Sequence, residues 1–203
     1  AALTTSVDGD HNTAVGVYAL EDYEDGDGSG FNTAIGSQSQ AQATTGEFNT
    51  SLGALSMGTG VATGDYNVAI GKSAGNTLTS GFYNTIVGGL AGDALTTGVR
   101  NVAIGFVALS AEDTGSQNTA VGAYALEALN YDGAAANTAV GYYAGPAIST
   151  GIQNTLLGSF AGDALTTGSN NTAIGFEALS TEDGHSSNTA IGFQTLKAQN
   201  AGA

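Results

Sequence analysis

The sequence predicts an all-β protein, a parallel β-solenoid (β-roll or β-helix) of about eleven laps with a 17-residue period. Three observations predict it. Eleven times the chain writes Asn, a pair of small or β-branched residues, an aliphatic residue and Gly, and most successive Asn lie 17 residues apart. The chain holds 32 Gly, 1 Pro and no Cys, yet every repeat keeps an aliphatic residue, which a disordered chain would not. Blocks of several laps also recur: the stretch from Asn84 to Val121 is closely echoed from Asn154 to Ile191, four laps later. A fixed period of this kind means one unit restacked along an axis rather than a globular core built once.

The strands follow from the motif in chain order. They start at Asn12, Asn32, Asn49, Asn67, Asn84, Asn101, Asn118, Asn137, Asn154, Asn171 and Asn188. Counting Asn as position 1, position 4 is always aliphatic, from Val15 and Ile35 to Ile174 and Ile191, and position 5 is always Gly. A short β-branched run closed by Gly reads as a strand that ends at a bend. Positions 2 and 4 share one face, and the size of the aliphatic places that face inward. Position 3 then lies outward. It is Ala or Ser in nine laps, small enough to admit a neighbouring subunit. Laps rising by about one strand spacing, ~4.8 Å, would stack the eleven Asn into a hydrogen-bonded ladder on a rod of about 50 Å.

The second half of the lap comes in two forms. One places Leu at position 9, as at Leu20, Leu109, Leu126 and Leu179. The other has Gly there and an aliphatic three residues later, at Leu78, Leu95, Ile148 and Leu165. Either way one more large aliphatic enters each lap, as a thin core without voids requires. Thr-Gly or Ser-Gly pairs just before the next Asn supply the turn.

Charge and composition exclude several classes. Three basic residues against 18 acidic ones give a net charge of −15, which rules against a phosphate-tracking or anionic-membrane surface. No apolar run reaches 18 residues, so no membrane insertion is expected in this segment. His11 and His185 sit in distant laps with no triad or metal spacing, and no carboxylate pair is singled out, so no enzyme is expected. Residues 1–203 read as a single repeat domain, a segment of a longer fibre or filament. Neither end looks like a polar cap, and Ala201-Gly202-Ala203 followed by Ala1-Ala2-Leu3-Thr4-Thr5 nearly reproduces the internal AGDALTT. Head-to-tail stacking into a filament is the expectation that alternates with a fibre segment.

The NTAIG and NTAVG strands at Asn32, Asn137 and Asn171 resemble the strands in the β-roll heads of trimeric autotransporter adhesins. They are also similar to the repeat shafts of phage tail fibres and tail-fibre-like bacterial surface proteins. The resemblance spans essentially the whole chain. It implies a homotrimer at a cell surface or virion, extracellular, serving as spacer and attachment surface for a host glycan or protein. The 17-residue lap departs from the shorter lap typical of adhesin heads.

Candidate sites are few. Phe31, Phe48, Tyr66 and Tyr83 each precede Asn in four successive laps and should form one aromatic column, for sugar stacking or for corner or interface packing. A second group, Phe106, Tyr124, Tyr142, Tyr143, Phe160, Phe176 and Phe193, follows the motif Gly and reads as interface packing. Asp25, Asp27 and Ser29 match the first half of a calcium loop whose closing acid is absent. The pairs Glu112-Asp113 and Glu182-Asp183 read as charged residues on an exposed edge. An ice-binding solenoid is a minor expectation: Thr follows Asn in nine laps, but on the face assigned to the core.

Overall fold

The computed structural model describes residues 2–3, 11–24, 30–181 and 183–197. Eleven three-residue strands follow one another: β1 (Thr13–Val15), β2 (Thr33–Ile35), β3 (Thr50–Leu52), β4 (Val68–Ile70), β5 (Thr85–Val87), β6 (Val102–Ile104), β7 (Thr119–Val121), β8 (Thr138–Val140), β9 (Thr155–Leu157), β10 (Thr172–Ile174) and β11 (Thr189–Ile191). They form one parallel sheet in chain order, so the chain is the expected β-solenoid. Register is set position on position, as in Thr33↔Thr50, Ala34↔Ser51 and Ile35↔Leu52. The laps opened by Asn12, Asn49 and Asn118 keep that register too, so their extra residues are absorbed outside the strands.

The faces of the strand are the reverse of the expectation. Position 3 is buried, as at Ala34, Ser51, Ala103 and Ala173, whereas Thr at position 2 and the aliphatic at position 4 point outward. The reason is the thinness of the coil. Its interior is filled from the opposite wall by Leu20, Leu109, Leu126 and Leu179, or by Leu78, Leu95, Ile148 and Leu165. The strand facing them has room only for a methyl or hydroxymethyl group. The small residue is therefore a core residue and not a subunit contact.

Two laps break the small-residue rule, and the core explains both. Ile86 and Leu156 occupy position 3 and are fully buried. A Cβ on Gly75 would meet Ile86 Cδ1 at 3.0 Å, and one on Gly92 would meet it at 3.5 Å. On Gly162 it would meet Leu156 Cδ2 at 2.9 Å, and Gly145 also faces Leu156. The Gly-containing laps thus come in adjacent pairs, and one large strand residue fills the space left by two missing leucines.

Corners are made with left-handed backbone. The residue before Asn and those at positions 7 and 9 have positive φ in lap after lap, for example Gln153 (58°), Phe160 (60°) and Leu179 (57°). Each such non-glycine residue costs on the order of 1–2 kcal/mol. Bonds between laps offset this around the whole circuit: Leu20 N–H donates to Ser39 O (3.1 Å), Gly75 N–H to Ala91 O (3.0 Å), and Gly105 N–H to Val87 O (2.7 Å).

The Asn ladder is present and does more than stack amides. Asn154 Oδ1 accepts the backbone N–H of Asn171 (2.9 Å), while its Nδ2 donates to Gly168 O (2.9 Å) and to Asn137 Oδ1 (3.2 Å). The bond to the next Asn N–H recurs from Asn12 to Asn171. Each side chain therefore clips its lap to the next at the start of the strand. The residue three before the next Asn, expected only as a turn residue, accepts from Nδ2 where that bond forms; it is Gly from Gly46 to Gly168 and His185 for Asn171.

Candidate functional site

Two aromatic files run along the rod, and they are built differently. The first is the expected column. His11 and Phe31 stack at 4.7 Å between centroids, Phe31 and Phe48 at 5.3 Å, Phe48 and Tyr66 at 4.8 Å, and Tyr66 and Tyr83 at 5.3 Å, all within 24° of parallel. Arg100, at the same place in the next lap, sits 5.9 Å from the Tyr83 centroid and continues the file. The left-handed residue before Asn projects its ring at the same angle in every lap, so the rings meet face on face. Their faces are consumed by one another, and solvent reaches mainly the edges. This arrangement suits corner packing and leaves little for a sugar to stack on.

The second group, scattered in the sequence, is ordered in space. Tyr124, Tyr143 and Phe160 hold position 7 of successive laps and stack along the rod (4.6 Å and 22°, then 5.8 Å and 11°). Phe106, Tyr142 and Phe176 hold position 6 of every second lap and stand across them. Phe106 lies at 84° to Tyr124, Tyr142 at 81° to Tyr124 and 87° to Phe160, and Phe176 at 78° to Phe160. Phe193 stacks on Phe176 at 5.7 Å. Reading the residues one by one after the motif Gly hides this pattern. Sorting them by position, 6 or 7, reveals it.

Beside these files lies the outward face of the sheet. Its position 4 side chains are half-buried at Ile70, Val87, Val121, Val140 and Ile174 and exposed at the other six strands, up to 63% at Ile191. Thr fills position 2 except at Val68 and Val102, and no strand residue is charged. In a chain with net charge −15, an uncharged strip over all eleven strands is a distinct surface.

Titratable groups supply little chemistry. Glu112, expected on an exposed edge, is instead fully buried at the position held by Leu95 and Leu129 in the laps on either side. Its carboxylate accepts the N–H groups of Gly115 (2.7 Å) and Tyr131 (3.3 Å), tying its own corner to the following lap, where the Asn118 side chain lacks the usual clip. Burial pushes its pKa above the ordinary carboxylate range, with the two backbone donors opposing. Its neighbour Asp113 is half-buried, Asp183 is exposed, and Glu182 lies outside the described residues. Glu177 is held below the ordinary range, first by Lys197 and then by the Gln194 amide. Asp25, Asp27 and Ser29 also lie outside the described residues. Among the described residues no group of three or more His, Cys, Asp or Glu is placed to hold a metal ion, and no helix is long and apolar enough to cross a membrane. Comparison with protein-family models, curated proteins and solved structures finds no match to this chain.

Proposed function

We propose that the chain is a structural, extracellular fibre segment that acts as spacer and attachment surface at a cell or virion surface. In this reading, copies associate side by side as a homotrimer through the outward Thr and aliphatic strip. The observation that carries it is that strip: a flat, uncharged, partly apolar face repeated over eleven laps, on a rod whose other surfaces hold the acids. Removing such a face from water is favourable at about 25 cal/mol per Å² of apolar area. A second copy can cover it without separating charges from water. Light scattering of the purified chain tests the reading. The expected mass is three times that of one chain, falling to one chain in Ile104→Lys. A wild-type monomer at micromolar concentration would overturn it, and long filaments in electron micrographs would favour end-to-end assembly.

The outward Thr file favours one second reading, an ice-binding solenoid. Regular hydroxyl and methyl groups on a flat sheet can order water in a fixed array. Thermal hysteresis in dilute solution, abolished by Thr119→Lys, would support it over lateral association.

A further inference from the structure

We propose that laps six to eight carry a binding surface for a neutral, extended, β-1,4-linked polysaccharide, laid along the rod over Phe106 and Tyr142. The inference deepens the attachment role above by naming a ligand class and a place. It starts from ring orientation. Tyr124, Tyr143 and Phe160 stack on one another from lap to lap, so their ring normals run near the rod axis. Phe106 and Tyr142 stand at 81–87° to these rings, so their own normals point across the axis, whereas Phe176 has one face covered by Phe193 of the next lap. Phe106 and Tyr142 therefore lie parallel to the long axis, like tiles. Each is 48% exposed.

Spacing supplies the second observation. The two tiles occupy the same lap position two laps apart, about 9.6 Å at two strand spacings. Between them the position holds Ala123, which leaves a gap. In a β-1,4-linked chain each pyranose is turned over relative to the last, so every second ring presents the same face. One tile per disaccharide, with a gap under the intervening sugar, is what such a polymer requires. An aromatic face meets the axial C–H groups of a pyranose with apolar area and a fixed orientation. Charge narrows the ligand further, because 18 acidic residues against three basic ones disfavour an anionic glycan. The file from Phe31 to Tyr83 cannot serve in this way, because its faces are already occupied.

Calorimetry with cellohexaose tests the proposal, with α-1,6-linked isomaltohexaose as the control. Saturable binding tighter than about 1 mM is expected for cellohexaose, with at least ten-fold weaker binding of isomaltohexaose. Tyr142→Ala should weaken cellohexaose about ten-fold or more, and so should Phe106→Ala at the end of the row, where repacking is least. Phe48→Ala should leave binding unchanged, and circular dichroism checks that each variant is folded. No saturable binding of cellohexaose, equal affinity for both sugars, or full retention in both tile variants overturns the proposal. The two readings fail separately: a wild-type monomer that binds cellohexaose overturns only assembly, a wild-type trimer without saturable cellohexaose binding overturns only this proposal, and an Ile104→Lys monomer that still binds the sugar supports both.

Discussion

Laps with Leu at position 9 and laps with Gly there solve the same packing problem from opposite walls. In the laps of Leu109, Leu126 and Leu179 the far wall supplies the bulk and the strand supplies Ala103, Ala120 and Ala173. In the paired laps of Gly145 and Gly162 the strand supplies Leu156, and the far wall adds Ile148 and Leu165. The difference teaches that the conserved quantity is volume per pair of laps and not the residue at a given position. A repeat protein can therefore vary its sequence in coordinated steps while its backbone files remain straight.

The sharpest break of that comparison is at Leu156. Leu156→Ala should cost about 3–5 kcal/mol, because the cavity borders two glycines and nothing can collapse into it. Restoring bulk from the other wall in Leu156→Ala/Gly162→Leu should recover at least half of that loss, since Leu is accommodated at the same left-handed position in neighbouring laps. Gly162→Leu alone should destabilise by overpacking, because a Cβ there already meets Leu156 and Leu165 at 2.9 Å. Denaturant midpoints for the three variants form a cycle. Additive losses in the double variant would mean that the two walls do not exchange volume.

The Asn clip allows a second comparison between laps. Asn154 holds both an N–H and a carbonyl of the next lap, whereas Asn118 bonds only Asn137 N–H (3.1 Å) and its buried Nδ2 has no partner. Asn154→Ala should therefore cost about 2–4 kcal/mol and Asn118→Ala clearly less, as judged by thermal or denaturant unfolding. Equal losses would place the value of the ladder in the Oδ1 bond alone.

Glu112 contrasts with Leu95 and Leu129 at the same lap position. Its folded pKa is raised, so its contribution is fully present below the unfolded carboxylate value and is lost as pH rises through the folded value. The stability difference between wild type and Glu112→Gln should accordingly shift in favour of the variant as pH increases from the ordinary carboxylate range toward neutrality. A difference independent of pH would mean that the backbone donors cancel the effect of burial. The smallest expected effect is at the corners. Gln153→Gly relieves a left-handed, exposed residue (φ 58°) and should stabilise by up to about 1 kcal/mol. A loss would show that the side chain at that corner contributes more than its strain costs.

Much of this was legible in the residues. The period and the Asn, aliphatic and Gly files predicted a parallel solenoid in register, and the column from Phe31 to Tyr83 follows from its place before Asn. The direction of the strand faces was not legible. Alternation shows that positions 2 and 4 share a face, but only the opposing wall tells which face is inside, and size alone pointed the wrong way. The burial of Glu112 was hidden for a related reason: an acid beside Asp113 resembles a solvated pair until its lap position is matched with Leu95.

Sequence alone determined that identical laps stack, because a strict period leaves each residue type no neighbour but its own copy above and below. Tertiary structure decided what those files face. Inside and outside depend on the width of the coil and on which wall fills it, and ring orientation depends on the backbone corner beneath each side chain. Neither is a property of a residue or of its spacing. That is why one aromatic group became a single stack and the other a stack with rings set across it.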